Sequence, residues 1–199
     1  MEKATAELKM MWDQRHADPD KQPSAAEVLL ENLHLLPETG NALDLACGLG
    51  GNAMELARCG LEVSAWDISS VAVERLQHLA ASEGLVLNAE QRDVEQDLLT
   101  ENAFDVIVVS YFLNRDLMPA LIAALKPGGL IFYQTFTRIA VSDTGPSNPA
   151  YRLGDNELIA LLSPLSVRFY REENRLGDLG KGFRDVAMIV AQKLAMKRS

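Results

Sequence analysis

The residues most able to do chemistry lie in three short runs. The first is Leu43-Asp44-Leu45-Ala46-Cys47-Gly48-Leu49-Gly50. Gly48 and Gly50 let a backbone pass close to a ligand where a Cβ would collide. A helix starting just after them would turn its free N–H groups toward an anionic group such as a carboxylate. Asp44, in the same run, is placed to hold a cationic ammonium, directly or through water. The second run ends in Asp67, 19 residues beyond Gly48, where a carboxylate can accept from both hydroxyls of a ribose. The third is Arg92-Asp93-Val94, in which Asp93 would accept from the N6 amine of an adenine. Each acid alone reads equally well as a helix cap or a turn residue. Together with the glycine loop, the three point to a ligand that carries an adenosine.

Such runs work only if a scaffold brings them to one edge. Residues 4 to 16 read as a helix with Leu8, Met11 and Trp12 on one side. A polar break with Pro19 and Pro23 follows. Ser24 is placed as an N-cap, and a second helix runs to about Leu36, closed by Pro37 and Gly40. From Ala42 onward strands and helices alternate. ALDLA is a strand, 52 to 59 a helix ended by Gly60, EVSAWD a strand, and 71 to 83 a helix capped by Ser69 or Ser70. LNAEQRD is the third strand, and FDVIVVSYF a fourth of the fully buried parallel type. A helix over 116 to 125, a turn at Lys126-Pro127-Gly128-Gly129 and the strand LIFYQTF come next. This alternation makes a doubly wound parallel sheet with right-handed crossovers. All carboxyl ends then share one edge, where open α/β sheets bind ligands. Residues 137 to 152 form a long polar loop of the kind found as lids or left disordered. A helix follows near 155 to 162. SVRFYREEN and DVAMIVAQK, with no helix between them, close the sheet as an antiparallel hairpin. The expected fold is one α/β domain over residues 1–199. It has a doubly wound, seven-stranded, mostly parallel sheet ending in that C-terminal hairpin, with residues 1–40 as a helical leader or lid.

Composition narrows what such a domain can do. The 199 residues suffice for one α/β domain with a substantial core. A formal charge of −9 repels phosphate backbones, opposed only by scattered basic residues and a short cluster at Lys193, Lys197 and Arg198. A nucleic-acid substrate is therefore disfavoured. No apolar run approaches the roughly 20 residues that cross a bilayer, and MEKATAELKMMWDQRH lacks the apolar middle of a signal peptide. A cytoplasmic monomer or homodimer without membrane contact is expected. Cys47 and Cys59 make no disulfide framework, and His16, His34 and His78 are dispersed, so no metal is expected.

The segment from Ala42 to Phe136 resembles the class I methyltransferases that use S-adenosylmethionine. The likeness rests on LDLACGLG, on the acids in AWDIS and RDV, on FDVIVVSYFLNRDL, on the KPGG turn and on the closing hairpin. Within that family, ACGLGGNAMELA, the tryptophan-bearing leader and the short chain are most similar to the tellurite-resistance (TehB-like) branch. The resemblance implies S-adenosylmethionine as cofactor and S-adenosylhomocysteine as product. It implies that Asp44, Ala46, Gly48 and Gly50 meet the methionine moiety. Asp67 with Ile68 would hold the ribose and flank the adenine, and Asp93 with Val94 would read the adenine edge. Ser110 and Tyr111 would meet the methionyl amine and the sulfonium.

Methyl transfer is an in-line displacement with a leaving group already in place, so positioning and desolvation matter most. A thiolate or chalcogenide acceptor needs no base, whereas a hydroxyl or protonated amine does. His16 sits beyond Trp12 and Arg15 in a leader that folds over the cofactor in similar enzymes; a solvated helix-end histidine is the alternative. His34 and His78 read as surface residues. Tyr111 and Phe112 are placed to line the pocket, and Tyr133 reads as core. Asn114 and Arg115, after strand four, face the transferring methyl in this fold or else cap the next helix. Arg138 and Arg152 flank the long loop and suit an anionic substrate or solubility alone. The expected catalytic set is Tyr111, Asn114, Arg115 and His16. The expected reaction is methyl transfer to a small-molecule acceptor, a thiol or a tellurite- or selenite-type oxyanion. Two rivals stand beside it: a non-catalytic S-adenosylmethionine-binding module, and an NAD(P)-dependent Rossmann oxidoreductase. The second is permitted by Gly48-x-Gly50-x-x-Ala53. The leader, Asp93 and the end hairpin speak against it.

Overall fold

The computed structural model describes residues 2–97 and 99–195. Lys197 and Arg198, from the basic C-terminal cluster, lie outside the described residues. FDVIVVS becomes β4 (Phe104–Ser110), flanked by β1 (Asn41–Leu45) and β5 (Leu125–Phe136). Val106, Ile107, Val108 and Val109 are wholly buried. A strand covered on both faces has to be apolar along its length, which is why this run shows no alternation. β2 (Glu62–Asp67) and β3 (Leu87–Gln91) extend the sheet beyond β1; β7 (Val186–Gln192) and β6 (Ser166–Glu172) extend it beyond β5. The order is β3-β2-β1-β4-β5-β7-β6. β1 to β5 are parallel, and β7 runs antiparallel to both β5 and β6. Strand order reverses between β1 and β4, which opens a crevice at their carboxyl ends.

Helices cover both faces: α1 (Glu2–His16), α2 (Glu27–Leu30), α3 (Gly51–Arg58), α4 (Ser70–Ser82), α5 (Met118–Ala124) and α6 (Glu157–Leu161). Successive strand residues point to opposite faces. Val106, Val108 and Phe132 therefore pack with Val28, Leu56 and Leu76 on one side. Ile107, Val109 and Ile131 pack with Met118, Leu121 and Leu158 on the other.

The seven-stranded sheet and its antiparallel end are as expected, and several local expectations change. The helix expected from Ser24 to Leu36 splits into the short α2 and a 3-10 turn at Leu33–Leu35. Its cap position is Ala26, not Ser24, because the Ala26 N–H is taken by Asn52 Oδ1 at 2.8 Å. β3 stops at Gln91, so Asp93 lies two residues past the strand instead of closing it. The expected turn at Lys126–Gly129 is absorbed into β5 as an irregularity, pairing jumping from Phe104↔Leu125 to Val106↔Leu130. The helix expected over 116 to 125 starts as a 3-10 turn at Arg115–Leu117. Finally, the loop from 137 to 152 is fastened down. Arg152 donates to the carbonyls of Thr144, Pro146 and Thr137 at 2.5, 2.7 and 3.0 Å. Asp185 accepts from the N–H groups of Val141 and Ser142. Arg152 is thereby committed to holding the loop and not to an anionic substrate.

Candidate functional site

At the strand tips lies a cavity of about 440 Å³, within the usual range for small-molecule sites. β1 leads into it through Ala46, which is held at φ +54°, and Gly48, at φ +53°. A left-handed Ala costs about 1 kcal/mol, so the turn is held by its surroundings. One of these holds is Asp67 at the end of β2. Its Oδ2 accepts the Gly48 N–H at 2.8 Å and its Oδ1 accepts the Ser69 N–H at 2.8 Å. Ser69 in turn caps α4 by accepting from the Ala72 N–H. Asp67 and the glycine turn are thus one hydrogen-bonded unit. Asp67 is buried yet lines the cavity, beside Ile68. Asp93 and the buried Val94 lie further along the wall. Asp93 Oδ1 accepts the Glu95 N–H at 3.1 Å, which fixes the turn after β3.

On the other side of β1, Ser110 ends β4 and Tyr111 follows in the left-handed region at φ +57°. Ser110 Oγ accepts from Asn52 Nδ2 at 2.9 Å. The leader supplies a further wall of Leu8, Trp12 and His16, the last two rings stacked with centroids 5.7 Å apart. His16 lies over the glycine turn, 3.4 Å from where a Gly48 Cβ would stand, and its Nδ1 has no hydrogen-bond partner. Burial lowers the His16 pKa, which keeps the ring neutral; the Asp67 charge opposes this. His34 and His78 are exposed on the surface.

Of the expected site residues, His16, Ala46, Gly48, Asp67, Ile68, Asp93, Val94, Ser110 and Tyr111 share this one wall. Four do not. Gly50 caps α3 at φ +80°, and Leu76 fills the space its Cβ would need. Asn114 accepts the Asp116 N–H at 3.0 Å as a helix cap and donates to Glu95. Arg115 forms a two-pronged pair with Glu157, at 2.6 and 3.1 Å, and donates to the carbonyls of Ala150 and Arg152. That pairing holds the Glu157 carboxyl at about 2. Arg115 therefore ties the loop after β5 to α6 and is not free to face a substrate. Tyr133 is in the core, its hydroxyl donating to the Phe112 carbonyl at 2.8 Å.

Asp44 is the fourth. It is fully buried beneath the cavity floor, accepting from the Ala53 N–H at 2.9 Å and from Asn52 Nδ2 at 3.3 Å. It reaches the site only through Asn52, which does line the cavity. Burial pushes the Asp44 carboxyl up to about 7, against the pull of those two bonds. Because the fold binds this proton more tightly than the unfolded chain, the stabilisation is complete below about pH 4. It is lost as pH rises from there toward 7. Melting temperatures measured from pH 4.5 to 7.5 should fall over that span, and Asp44→Asn should remove this part of the slope; parallel slopes in the two proteins would count against it.

Residues that the sequence reading passed over include Gly51 and Asn52. The leader backbone crosses α3 so closely that a Gly51 Cβ would lie 2.2 Å from the Ser24 carbonyl oxygen. The doubled glycine at 50 and 51 was the available signal. Asn52 bridges Ala26, Asp44 and Ser110, and an amide in the first turn of the helix, straight after the paired glycines, was its mark.

Residues 42–129 match a family described as a methyltransferase domain. Over these residues the chain is similar to methyltransferase domains. A ubiquinone biosynthesis O-methyltransferase of Xanthomonas axonopodis pv. citri is 29% identical over 201 residues, 94% of this chain and 79% of that protein. The probable S-adenosyl-L-methionine-dependent methyltransferase TehB of Haemophilus influenzae is 33% identical over 87 residues, 42% of this chain and 30% of that protein. The crystal structure of TehB from Haemophilus influenzae superposes with a TM-score of 0.69 at 23% identity, covering 91% of this chain and 66% of that one. This last likeness is one of fold. The chain spans only 31% and 62% of the length of two other curated relatives. The name of the TehB relative makes that protein S-adenosyl-L-methionine-dependent. Among the described residues no group of three potential ligands could hold a metal, and no helix is long and apolar enough to cross a membrane.

Proposed function

We propose that the protein transfers a methyl group from S-adenosylmethionine to a small-molecule acceptor. What supports this reading is the convergence of Ala46, Gly48, Asp67, Asp93 and Ser110, from or just beyond four strands, on one cavity. The polar groups present fit the ligand. Asp67, each of whose oxygens gives one lone pair to a backbone N–H, keeps acceptor capacity for the ribose hydroxyls. Asp93 and Val94 would take the adenine edge, with Ile68 against its face. Ala46, Gly48 and Ser110 would hold the methionine moiety, and Trp12 and His16 would close over it. When bound, S-adenosylmethionine supplies an electrophilic methyl on a sulfonium leaving group. The chain's own share is to orient the ligand and exclude water. Residues 1–40 act as lid in this reading, within one domain over 1–199. The protein is taken as cytoplasmic and as a monomer or homodimer.

The TehB likeness favours a soft acceptor, a thiol or a tellurite- or selenite-type oxyanion. The name of the Xanthomonas relative, an O-methyltransferase, favours oxygen. Parallel calorimetric titrations with S-adenosylmethionine, S-adenosylhomocysteine and NAD test the cofactor assignment. Micromolar binding of the two adenosyl ligands and none of NAD is expected. Binding of NAD alone would replace this reading by the oxidoreductase one, and cofactor binding without transfer to any acceptor would leave a binding module.

A further inference from the structure

Along the sheet order β3-β2-β1-β4, the adenine, ribose and methionine positions succeed one another, so the reacting end of the ligand points toward β4 and β5. Three residues from separate elements meet there. Gln134, on β5, is wholly buried. Its Oε1 accepts the Val28 N–H at 2.9 Å, and its Nε2 donates to Glu27 Oε2 at 2.5 Å and to the Tyr111 hydroxyl at 2.7 Å. With both amide hydrogens used, the phenol oxygen is an acceptor toward Gln134, and its own hydrogen is free. Glu27 Oε2 stands 3.3 Å from that oxygen. This is long for such a bond, as catalytic contacts often are before substrate arrives. The Tyr111 N–H also bonds the Gln134 carbonyl, at 2.8 Å, which holds the left-handed backbone. Strain of this kind in a bulky residue gathers at functional positions.

Tyr111 belongs to the cofactor cavity and also to a neighbouring hollow with Phe136, Thr144, Arg184, Asp185 and Val186. Its ring lies against Phe136, centroids 5.0 Å apart, so the hollow presents aromatic surface beside the phenol. The charges in the hollow are engaged elsewhere. Arg184 donates to the carbonyls of Lys181, Asp178 and Asn174, and Asp185 accepts from Ser142. The charge left to act on the Tyr111 hydroxyl is the Glu27 carboxylate.

Resting on the methyltransferase reading, we propose that Tyr111, backed by Glu27, takes the proton of the acceptor, and that the acceptor is a neutral hydroxyl compound of phenol or enol type. The acceptor's hydroxyl hydrogen passes to the Tyr111 oxygen while that oxygen's own hydrogen passes to Glu27. The acceptor oxygen uses its electron pair for the new bond to the methyl carbon, and the pair of the breaking S–C bond stays on sulfur. Glu27, half-buried, then returns its proton to water. Burial and the Glu27 charge push the Tyr111 pKa up to about 12, so the phenol acts as a relay and not as a standing tyrosinate. A chalcogen oxyanion needs no such base and would meet the Glu27 charge.

Three measurements on wild type, Glu27→Gln and Tyr111→Phe test this. Calorimetry with S-adenosylmethionine should give similar affinities in wild type and Glu27→Gln. The ultraviolet tyrosinate signal of the ligand-free protein, with Tyr111→Phe as the reference, should show Tyr111 ionising about one pH unit or more lower in Glu27→Gln. With labelled S-adenosylmethionine, catechol should be methylated, and kcat should fall about 100-fold in both variants. Tyr111 ionising identically with and without Glu27, or full-rate catechol methylation by Glu27→Gln, would overturn the proposal. So would methylation of selenite or tellurite but not catechol. If none of these acceptors is used, the tyrosine ionisation decides alone. Failure to bind S-adenosylmethionine would instead sink the methyltransferase reading itself.

Discussion

Asp67→Ala should weaken S-adenosylmethionine binding by about 1.5 to 3 kcal/mol, the loss expected for hydrogen bonds to a charged group. That is roughly a tenfold to 150-fold rise in Kd. S-adenosylhomocysteine should lose the same factor, because the two ligands share their ribose and differ only at sulfur. A residue acting through the sulfonium would separate them. The carboxylate has a second task, since it accepts the N–H groups of Gly48 and Ser69. Its removal leaves two donors at the turn without their partner, which lowers ligand-free stability as well. Melting the ligand-free variant isolates that cost, and calorimetry below its melting point then reports binding. Asp67→Asn keeps one acceptor oxygen and should fall between wild type and Asp67→Ala. An affinity unchanged in Asp67→Ala would remove the ribose assignment.

How far the site was legible depended on how local its causes were. The glycine turn, Asp67 and Asp93 follow from strand-to-helix patterning within stretches of a few residues, and they meet as the order of strands requires. β4 was plain because burial on both faces demands an unbroken apolar run. Legibility fails where a residue's partner is far along the chain. Arg115 read as a substrate contact because its position after β4 is right; its engagement by Glu157 spans 42 residues and leaves no local trace. Asp44 read as holding the ligand's ammonium, directly or through water, because a strand-end acid usually faces the crevice. The α3 backbone and Asn52 claim it instead. Glu27 and Gln134 are 107 residues apart, and only the polar side chain inside the apolar run LIFYQTF hinted that β5 carried more than core. The second helix was misjudged because its apolar residues fit helical spacing, while the close crossing of Ser24 over Gly51 keeps the chain extended up to Ala26.

Deletion of residues 1–20 should separate binding from folding. Among the described residues none before Ala25 belongs to either core cluster, and Leu8, Met10 and Met11 on α1 are exposed. What fastens the leader is polar. Asp13 accepts from Ser69 Oγ at 2.7 Å and from Lys9, contacts that bring its carboxyl down to about 2 although burial works the other way. Arg75 donates to the carbonyls of His16, Asp18 and Lys21, at 2.6, 2.7 and 2.8 Å. Partly exposed contacts of this kind contribute little to global stability, so the truncated chain should melt only about 2 to 4 °C lower, a loss of about 1 kcal/mol. Yet Leu8, Trp12 and His16 form one side of the cavity, and without them the ligand would face water. S-adenosylmethionine affinity should then fall by at least about tenfold, some 1.4 kcal/mol. Arg75→Ala is the finer version, loosening the end of the leader while its apolar residues remain, and it should give a smaller loss in the same direction. A truncated chain that cannot fold would make the leader part of the scaffold. One that folds and binds as tightly as the full chain would show that Trp12 and His16 cover nothing the ligand needs.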